Sequence, residues 1–362
     1  MTTDEKIDLI KQVGEEIIGL EELKTLLDEN EPLVAYDGFE PSGQIHLAAG
    51  LLRVININKM TKAGIKFKML VADWHALANN KMGSDLEKIQ TVGKYFIEIW
   101  KACGIDEENV EFIWASDLVK DPAYWMLVMK VAKSNSVNRI IRTSQIMGRK
   151  ETDDLTAAQI LYPCMQAADI FYLGAKITQL GMDQRKVNML AREIGLLLGP
   201  PAGGWKPIVI SHNMLMWLGK PPEETADKTE RTIEMKMSKS NPDSAIFMTD
   251  SLEDIQRKIN KAYCPEGDIK DNPILEYCKY ILFEKFDSLL IERPEKFGGN
   301  LTIQSYNELE AKYANKEIHP MDLKNTVVKL LDQLLQPVRR HFEENAEAKA
   351  LLENVKSYQV TR

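Results

Sequence analysis

The chain has 362 residues, 44% hydrophobic and 28% charged, the composition of a globular protein with one large or two ordinary domains. Its formal net charge of −8 argues against a protein that coats nucleic acid non-specifically, though not against a local basic patch. Cys103, Cys164, Cys264 and Cys278 form no CxxC pair, which argues against a zinc ribbon or a redox dithiol and fits free thiols in a reducing compartment.

The N-terminal MTTDEKIDLIKQVGEEI is acidic, has no apolar centre and does not read as a signal peptide. No apolar run reaches membrane length, so a cytoplasmic protein is expected. Residues 3–30 read as two amphipathic helices, carried by Ile7, Leu9, Ile10 and Val13 and then by Leu20, Leu23, Leu26 and Leu27. Leu33 to Tyr36 has strand character, and Asp37-Gly38 and Pro41-Ser42-Gly43 are turn residues. Leu47, Leu51, Leu52 and Val54 then open a helix over residues 47–63. Lys66 to Ala72 predicts the next strand, Asp73 to Ala76 a loop at its end, and residues 84–103 a helix with Ile89, Val92, Phe96, Ile97 and Trp100 on one face. Val110 to Trp114 is a third strand, and this alternation predicts a parallel sheet with right-handed crossovers.

The alternation lapses over about residues 117–157, where Met126, Val128, Met129, Val131 and Ala132 form an apolar helical stretch. Asn138 to Arg142 and Met147 to Lys150 add basic charge there. Leu155 to Phe171 reads as a helix, Gly181 to Gln184 as a turn before a helix reaching Leu197, and Lys206 to Ile210 as the last strand. Residues 219–245 are polar, charged and proline-bearing, which predicts a long loop. From Leu252 the pattern is helical, so two units are expected, 1–250 and an all-α 251–362.

Two stretches carry chemistry. A strand, a Gly/Pro loop and a helix start at His46 present unpaired N–H groups and the positive end of a dipole, a natural anion site. The segment is neither a Walker A loop nor GxGxxG. Far along the chain, Lys236-Met237-Ser238-Lys239-Ser240 sets two ammonium groups and two hydroxyls in a polar loop. On the helix at 155–171, Tyr162, Gln166 and Asp169 fall at i, i+4 and i+7, on one face. A carboxylate on an otherwise apolar face needs a partner, either a ligand or a structural cation.

His46-Leu47-Ala48-Ala49 followed by Lys236-Met237-Ser238-Lys239-Ser240 resembles the paired HIGH and KMSKS signatures of class I aminoacyl-tRNA synthetases. From about residue 20 to 345 the chain resembles the tyrosyl-tRNA synthetases of the archaeal and eukaryotic-cytosolic type. The resemblance implies an α/β, Rossmann-like parallel-sheet catalytic domain with a helical insertion at about 117–157, and a helical anticodon-binding domain. It implies tyrosine activation with ATP and Mg²⁺ carried by ATP, transfer to tRNA(Tyr), and a homodimer joined through the insertion. His46, Lys236 and Lys239 would be catalytic by position and charge, since this reaction needs positioning and neutralised phosphates more than covalent chemistry.

Tyr36, Glu40, His75, Tyr162, Gln166, Asp169 and Gln184 match tyrosine-pocket positions, with Asp169 and Tyr36 at the phenol and Tyr162, Gln166 and Gln184 at the ammonium group. Gly38, His46, Gly181, Asp183, Lys236, Met237, Ser238 and Lys239 match ATP positions. Arg185, Lys186, Phe297, His319 and Asp322 match tRNA positions, the last three in the anticodon reader. No metal-ligand set belongs to the resemblance. Ala49 departs from it, standing where a second His or a polar residue is usual, which shifts phosphate charge onto the two lysines. A tryptophanyl enzyme of the same fold would not need the Tyr36–Asp169 pair, and a non-catalytic RNA-binding relative would be favoured by Ala49 alone.

Overall fold

A computed structural model of the chain describes residues 1–29, 31–149, 153–200, 203–222 and 242–358. Its sheet is built from β1 (Glu16–Ile18), β2 (Val34–Phe39), β3 (Lys66–Val71), β4 (Val110–Trp114), β5 (Ile177–Thr178) and β6 (Ile208–Ser211) in the order β1-β6-β5-β2-β3-β4. β2 to β6 run parallel, and β1 closes one edge antiparallel to β6. β2, β3, β4 and β6 lie where their apolar runs predict. β1 and β5 are additions to that reading, because two or three residues leave no alternation to detect.

Helices α1 (Thr3–Val13), α2 (Leu20–Asp28), α3 (Arg53–Lys62), α4 (Asp73–Ala78) and α5 (Leu86–Ala102) precede the insertion. The expected loop at Asp73–Ala76 is instead the start of α4. Asp73 sits in its first turn, where the dipole favours a carboxylate, and accepts from the Trp74 and Ser116 N–H groups and from Gln90. The lapse in alternation is filled by α6 (Ala115–Leu118), α7 (Pro122–Lys133) and α8 (Val137–Thr143), followed by α9 (Ala157–Tyr172) and α10 (Arg185–Leu198). The helix after His46 opens with a π-helical turn over Ala48–Leu52, in which the Leu52 N–H reaches the Leu47 carbonyl at 3.1 Å. The Ala49 carbonyl accepts from Trp100 Nε1 of α5 at 2.8 Å.

The C-terminal part is helical, with α11 (Leu252–Lys261), α12 (Pro273–Tyr277), α13 (Tyr306–Ala314), α14 (Pro320–Glu344) and α15 (Ala346–Ser357). One hairpin interrupts it, β7 (Leu289–Ile291) against β8 (Leu301–Ile303), which corrects the expectation of helix throughout. One apolar core runs from α1, α3 and α5 into α11, α14 and α15 without a break. A second, on the opposite side of the sheet, joins α7, α9 and α10. Among the described residues no helix is long and apolar enough to cross a membrane.

Candidate active site

The parallel strands deliver their C-terminal ends to one edge of the sheet, where ligands of such folds sit. Tyr36 lies on β2 and Asp169 on α9. α9 is started by a Thr156–Gln159 capping box, which fixes the phase that turns Tyr162, Gln166 and Asp169 to one side. Asp169 is fully buried. The Tyr36 hydroxyl donates to Asp169 Oδ2 at 3.5 Å, and the Tyr124 hydroxyl donates to Oδ1 at 2.8 Å. His75 Nε2 stands 3.0 Å from Oδ2, close but off a hydrogen-bond line. The pairing of Asp169 with Tyr36 is therefore formed. Tyr124 was not legible in the sequence, because a Tyr inside an apolar helical stretch reads as core.

Burial, reinforced by nearby carboxylates, pushes the Tyr36, Tyr124 and Tyr162 hydroxyls well above the usual phenol range, so all three remain donors. For His75, burial works against charge, but Asp169, with Glu40 and Asp73 behind it, raises its pKa overall. Stability from the charged imidazole is fully present below the unfolded value of about 6.5 and is lost as pH rises through the higher folded value. We expect the melting temperature of the wild type to fall over that window, and a His75→Gln variant to lack this part of the fall. Parallel curves for the two proteins would refute the Asp169–His75 pairing.

At the other end of the pocket, Gln166 Nε2 donates to Gln184 Oε1 at 3.1 Å, and Gln184 Nε2 donates to the Ile146 carbonyl at 3.1 Å. Gln166 Oε1 is buried with no hydrogen-bond partner among the described residues, an acceptor suited to an ammonium group. From Tyr162 to Asp169 the helix rises about 10 Å, enough for a ligand carrying a phenol at one end and an amine at the other. Glu40 lies at the side, taking both oxygens to Asn79 Nδ2 at 3.0 and 3.1 Å, while its charge acts on Tyr162. His75 meets the Tyr162 ring edge-on at 5.1 Å.

The His46 segment is tied to the chain beyond residue 242. His46 pairs with Phe247 in an antiparallel bridge, the Leu47 N–H donates to the Ile246 carbonyl at 2.8 Å, and the Met248 N–H to the Ile45 carbonyl at 3.0 Å. The chain that follows the lysine-bearing loop is thus bonded directly to the His46 segment. The Leu218 N–H meets the Ser244 carbonyl at 2.9 Å, so residues 218 and 244 are joined across the intervening sequence. Lys236, Met237, Ser238 and Lys239 themselves lie outside the described residues, as does Lys150. Buried Lys258 of α11 secures this base, donating to Asp250 Oδ2 at 2.6 Å and to the Ala245 carbonyl at 3.0 Å.

A Cβ at Gly181 would stand 2.4 Å from Met214 Sδ and 2.6 Å from Asp183 Oδ1, so both side chains would have to shift to admit one. Gly38 faces the tyrosine side as well, because its Cβ would press to 3.0 Å on the Tyr36 hydroxyl. Arg185 is held by Glu16, with Nε 2.7 Å from Oε2, and Lys186 by Gln145. Far from these groups, Phe297 is 62% exposed and is not core, with Lys296 Nζ 4.9 Å from its ring centroid. His319 caps α14 through Nδ1, and Asp322 sits in the first turn of that helix. Arg293 ties the two regions, donating to the Gly299 and Glu317 carbonyls at 2.9 and 2.7 Å.

The family model of class I tRNA synthetases (W and Y) matches residues 28–336. The chain is 51% identical over 361 residues to tyrosine–tRNA ligase 1, cytoplasmic, of Arabidopsis thaliana, covering 99% of this chain and 90% of that one. It is 41% identical to the tyrosine–tRNA ligase of Thermococcus sibiricus over the whole of both chains. Among solved structures, tyrosyl-tRNA synthetase from Pyrococcus horikoshii complexed with L-tyrosine superposes with a TM-score of 0.90 at 38% identity, covering 98% of this chain and 100% of that one.

Proposed function

The chain belongs to the class I tRNA synthetases of the tryptophan and tyrosine branch, and from that premise we propose that it is a tyrosine–tRNA ligase. It joins L-tyrosine to ATP as tyrosyl-adenylate with release of pyrophosphate, then passes the tyrosyl group to tRNA(Tyr). The observation that carries tyrosine over tryptophan is the buried Asp169, met by the Tyr36 and Tyr124 hydroxyls. A phenol replaces or joins those donors, whereas an indole ring brings no hydroxyl to the carboxylate.

The roles follow from the chemistry. Asp169 accepts a hydrogen bond from the phenol and Tyr36 gives the second contact. Gln166, through its unpartnered oxygen, with Tyr162 and Gln184, holds the ammonium group and aims the carboxylate at the α-phosphorus. His46 and the helix start neutralise charge that builds on the phosphates, and Lys236 and Lys239 add two cations to the same task. ATP is the co-substrate and carries its own Mg²⁺. Among the described residues no group of three or more His, Cys, Asp or Glu side chains is placed to hold a metal. Asp183 grips ribose hydroxyls beside Gly181, and Gly38 leaves room for close approach.

Residues 251–362 serve as the anticodon-binding unit, with Phe297 as the stacking surface and His319 and Asp322 as edge contacts. Arg185 and Lys186 meet the acceptor end. Exposed Met126, Met129 and Val137 on the insertion support a homodimer through that face. By likeness to the Arabidopsis relative, the chain works in the cytoplasm.

The test is ATP–pyrophosphate exchange run over all twenty amino acids. Stimulation by tyrosine alone is expected; stimulation by tryptophan instead would overturn the specificity, and none at all would favour a non-catalytic relative. For the tRNA assignment, Phe297→Ala is expected to raise the KM for tRNA about 10- to 100-fold, the range for one lost base stack, with exchange unchanged. Equal impairment in exchange and charging would undo that assignment.

A further inference from the structure

Arg53 lies one turn beyond Ala49, deep inside the protein, with 1% of its surface exposed. Its Nη2 pairs with Asp37 Oδ2 at 2.8 Å and donates to the Gln179 carbonyl at 3.3 Å. Its Nη1 donates to Gln179 Oε1 at 2.6 Å and stands 3.2 Å from His212 Nδ1. Gln179 Nε2 stands 3.0 Å from that same ring nitrogen. Such a buried pair does little for stability compared with apolar residues of equal volume, so its use is to be sought in orientation.

A guanidinium and an amide NH₂ have only protons to offer. The Gln179 amide is not reversible here, because its oxygen is fixed by the Arg53 donor. His212 Nδ1 is therefore the acceptor for both neighbours and carries no proton, which leaves a neutral imidazole with its proton on Nε2. That nitrogen faces the nucleotide turn. A Cβ on Gly181 would stand 3.5 Å from His212 Nε2, 2.6 Å from Asp183 Oδ1 and 2.4 Å from Met214 Sδ, so both polar atoms lie at the same glycine, with the Met214 sulfur beside them. The backbone holds the edge in place: the Met182 N–H donates to the His212 carbonyl at 3.1 Å, and the His212 N–H to the Leu180 carbonyl at 2.9 Å.

We propose that His212 is a hydrogen-bond donor of the ATP site, acting beside Asp183 on the adenosine part of the nucleotide. Arg53 and Gln179 are the positioning residues that hold it as the Nε2–H tautomer. The proposal rests on the ligase reading for the identity of the nucleotide, but the tautomer stands apart from that reading.

Two measurements on the full chain test it. In nitrogen-15 imidazole spectra, with His212→Asn used to assign the signal, wild-type His212 is expected to show a proton on Nε2 and none on Nδ1. In Arg53→Met/Asp37→Asn, which removes both buried charges together and so avoids stranding Asp37, the signal is expected to become a mixture of tautomers. In pyrophosphate exchange, His212→Asn, whose amide replaces only the Nδ1 side, is expected to raise the KM for ATP about tenfold with the KM for tyrosine unmoved, one hydrogen bond's worth. His212→Gln, whose amide reaches the Nε2 position, is expected to restore most of it. A proton on Nδ1 in the wild type, or equal KM values for ATP in His212→Asn and the wild type, overturns the proposal. Loss of exchange in the wild type would instead sink the ligase reading, and the spectra would still decide the tautomer.

Discussion

Asp169→Ala is expected to erase most of the discrimination between tyrosine and phenylalanine in the exchange reaction. Sites built to hydrogen-bond a substrate hydroxyl reject the analogue lacking it by about 10⁴–10⁵, a magnitude for which tyrosyl-tRNA synthetase is itself the reference case and which these distances do not derive. The cause is local. With phenylalanine bound, Asp169 would be a buried carboxylate facing a ring edge, while the tyrosine hydroxyl donates a hydrogen bond to it. Truncation removes that difference, leaves the Tyr124 hydroxyl without its acceptor, and takes from the His75 imidazole the carboxylate 3.0 Å away. A loss of fold stability of about 3–5 kcal/mol accompanies the breaking of such a buried pair, so Asp169→Asn, which keeps the volume, is the companion variant. Lys239→Ala is expected to slow activation while leaving selectivity intact. Comparable loss of selectivity in the Asp169 and Lys239 variants would refute the division of labour between pocket and loop.

His46→Ala is expected to lower kcat for exchange about 10²–10³-fold, the usual effect of removing one preorganised donor from developing negative charge. The KM for tyrosine is expected to hold, because His46 belongs to the helix start and not to the α9 face. With alanine at 49, His46 is the single imidazole of that start. Its Nδ1 takes a long second share of the Ala49 N–H at 3.4 Å, the shorter bond of 3.0 Å going to the His46 carbonyl. Steady-state kinetics with each substrate varied in turn checks this. An unchanged kcat with a raised tyrosine KM would move His46 out of the phosphate role.

Some of this was legible in the sequence and some was not, for separable reasons. Tyr162, Gln166 and Asp169 fall on one helical face by arithmetic, and β2 to β4 announce themselves by apolar runs. Asp73 looks like a loop residue until the partners of its carboxylate, Ser116 and Gln90, are known, and both are distant in sequence. Tyr124 and Arg53 are invisible for opposite reasons: one looks like core and the other like surface. The antiparallel pairing of residues 45–47 with 246–248 carries no periodic signal, yet it ties the His46 stretch to the chain that follows the second signature in the sequence.

The unbroken apolar core between the sheet's helices and α14–α15 has an evolutionary corollary. Tyr95 and Phe342 meet across the seam with ring centroids 5.5 Å apart and planes tilted by 55°, and Glu98 meets His341 at 2.7 Å. The carboxy-terminal unit is therefore not a cassette that recombination can exchange whole. A transplanted replacement would have to bring a matching surface for α5, and drift on either side of the seam is bound to be answered on the other.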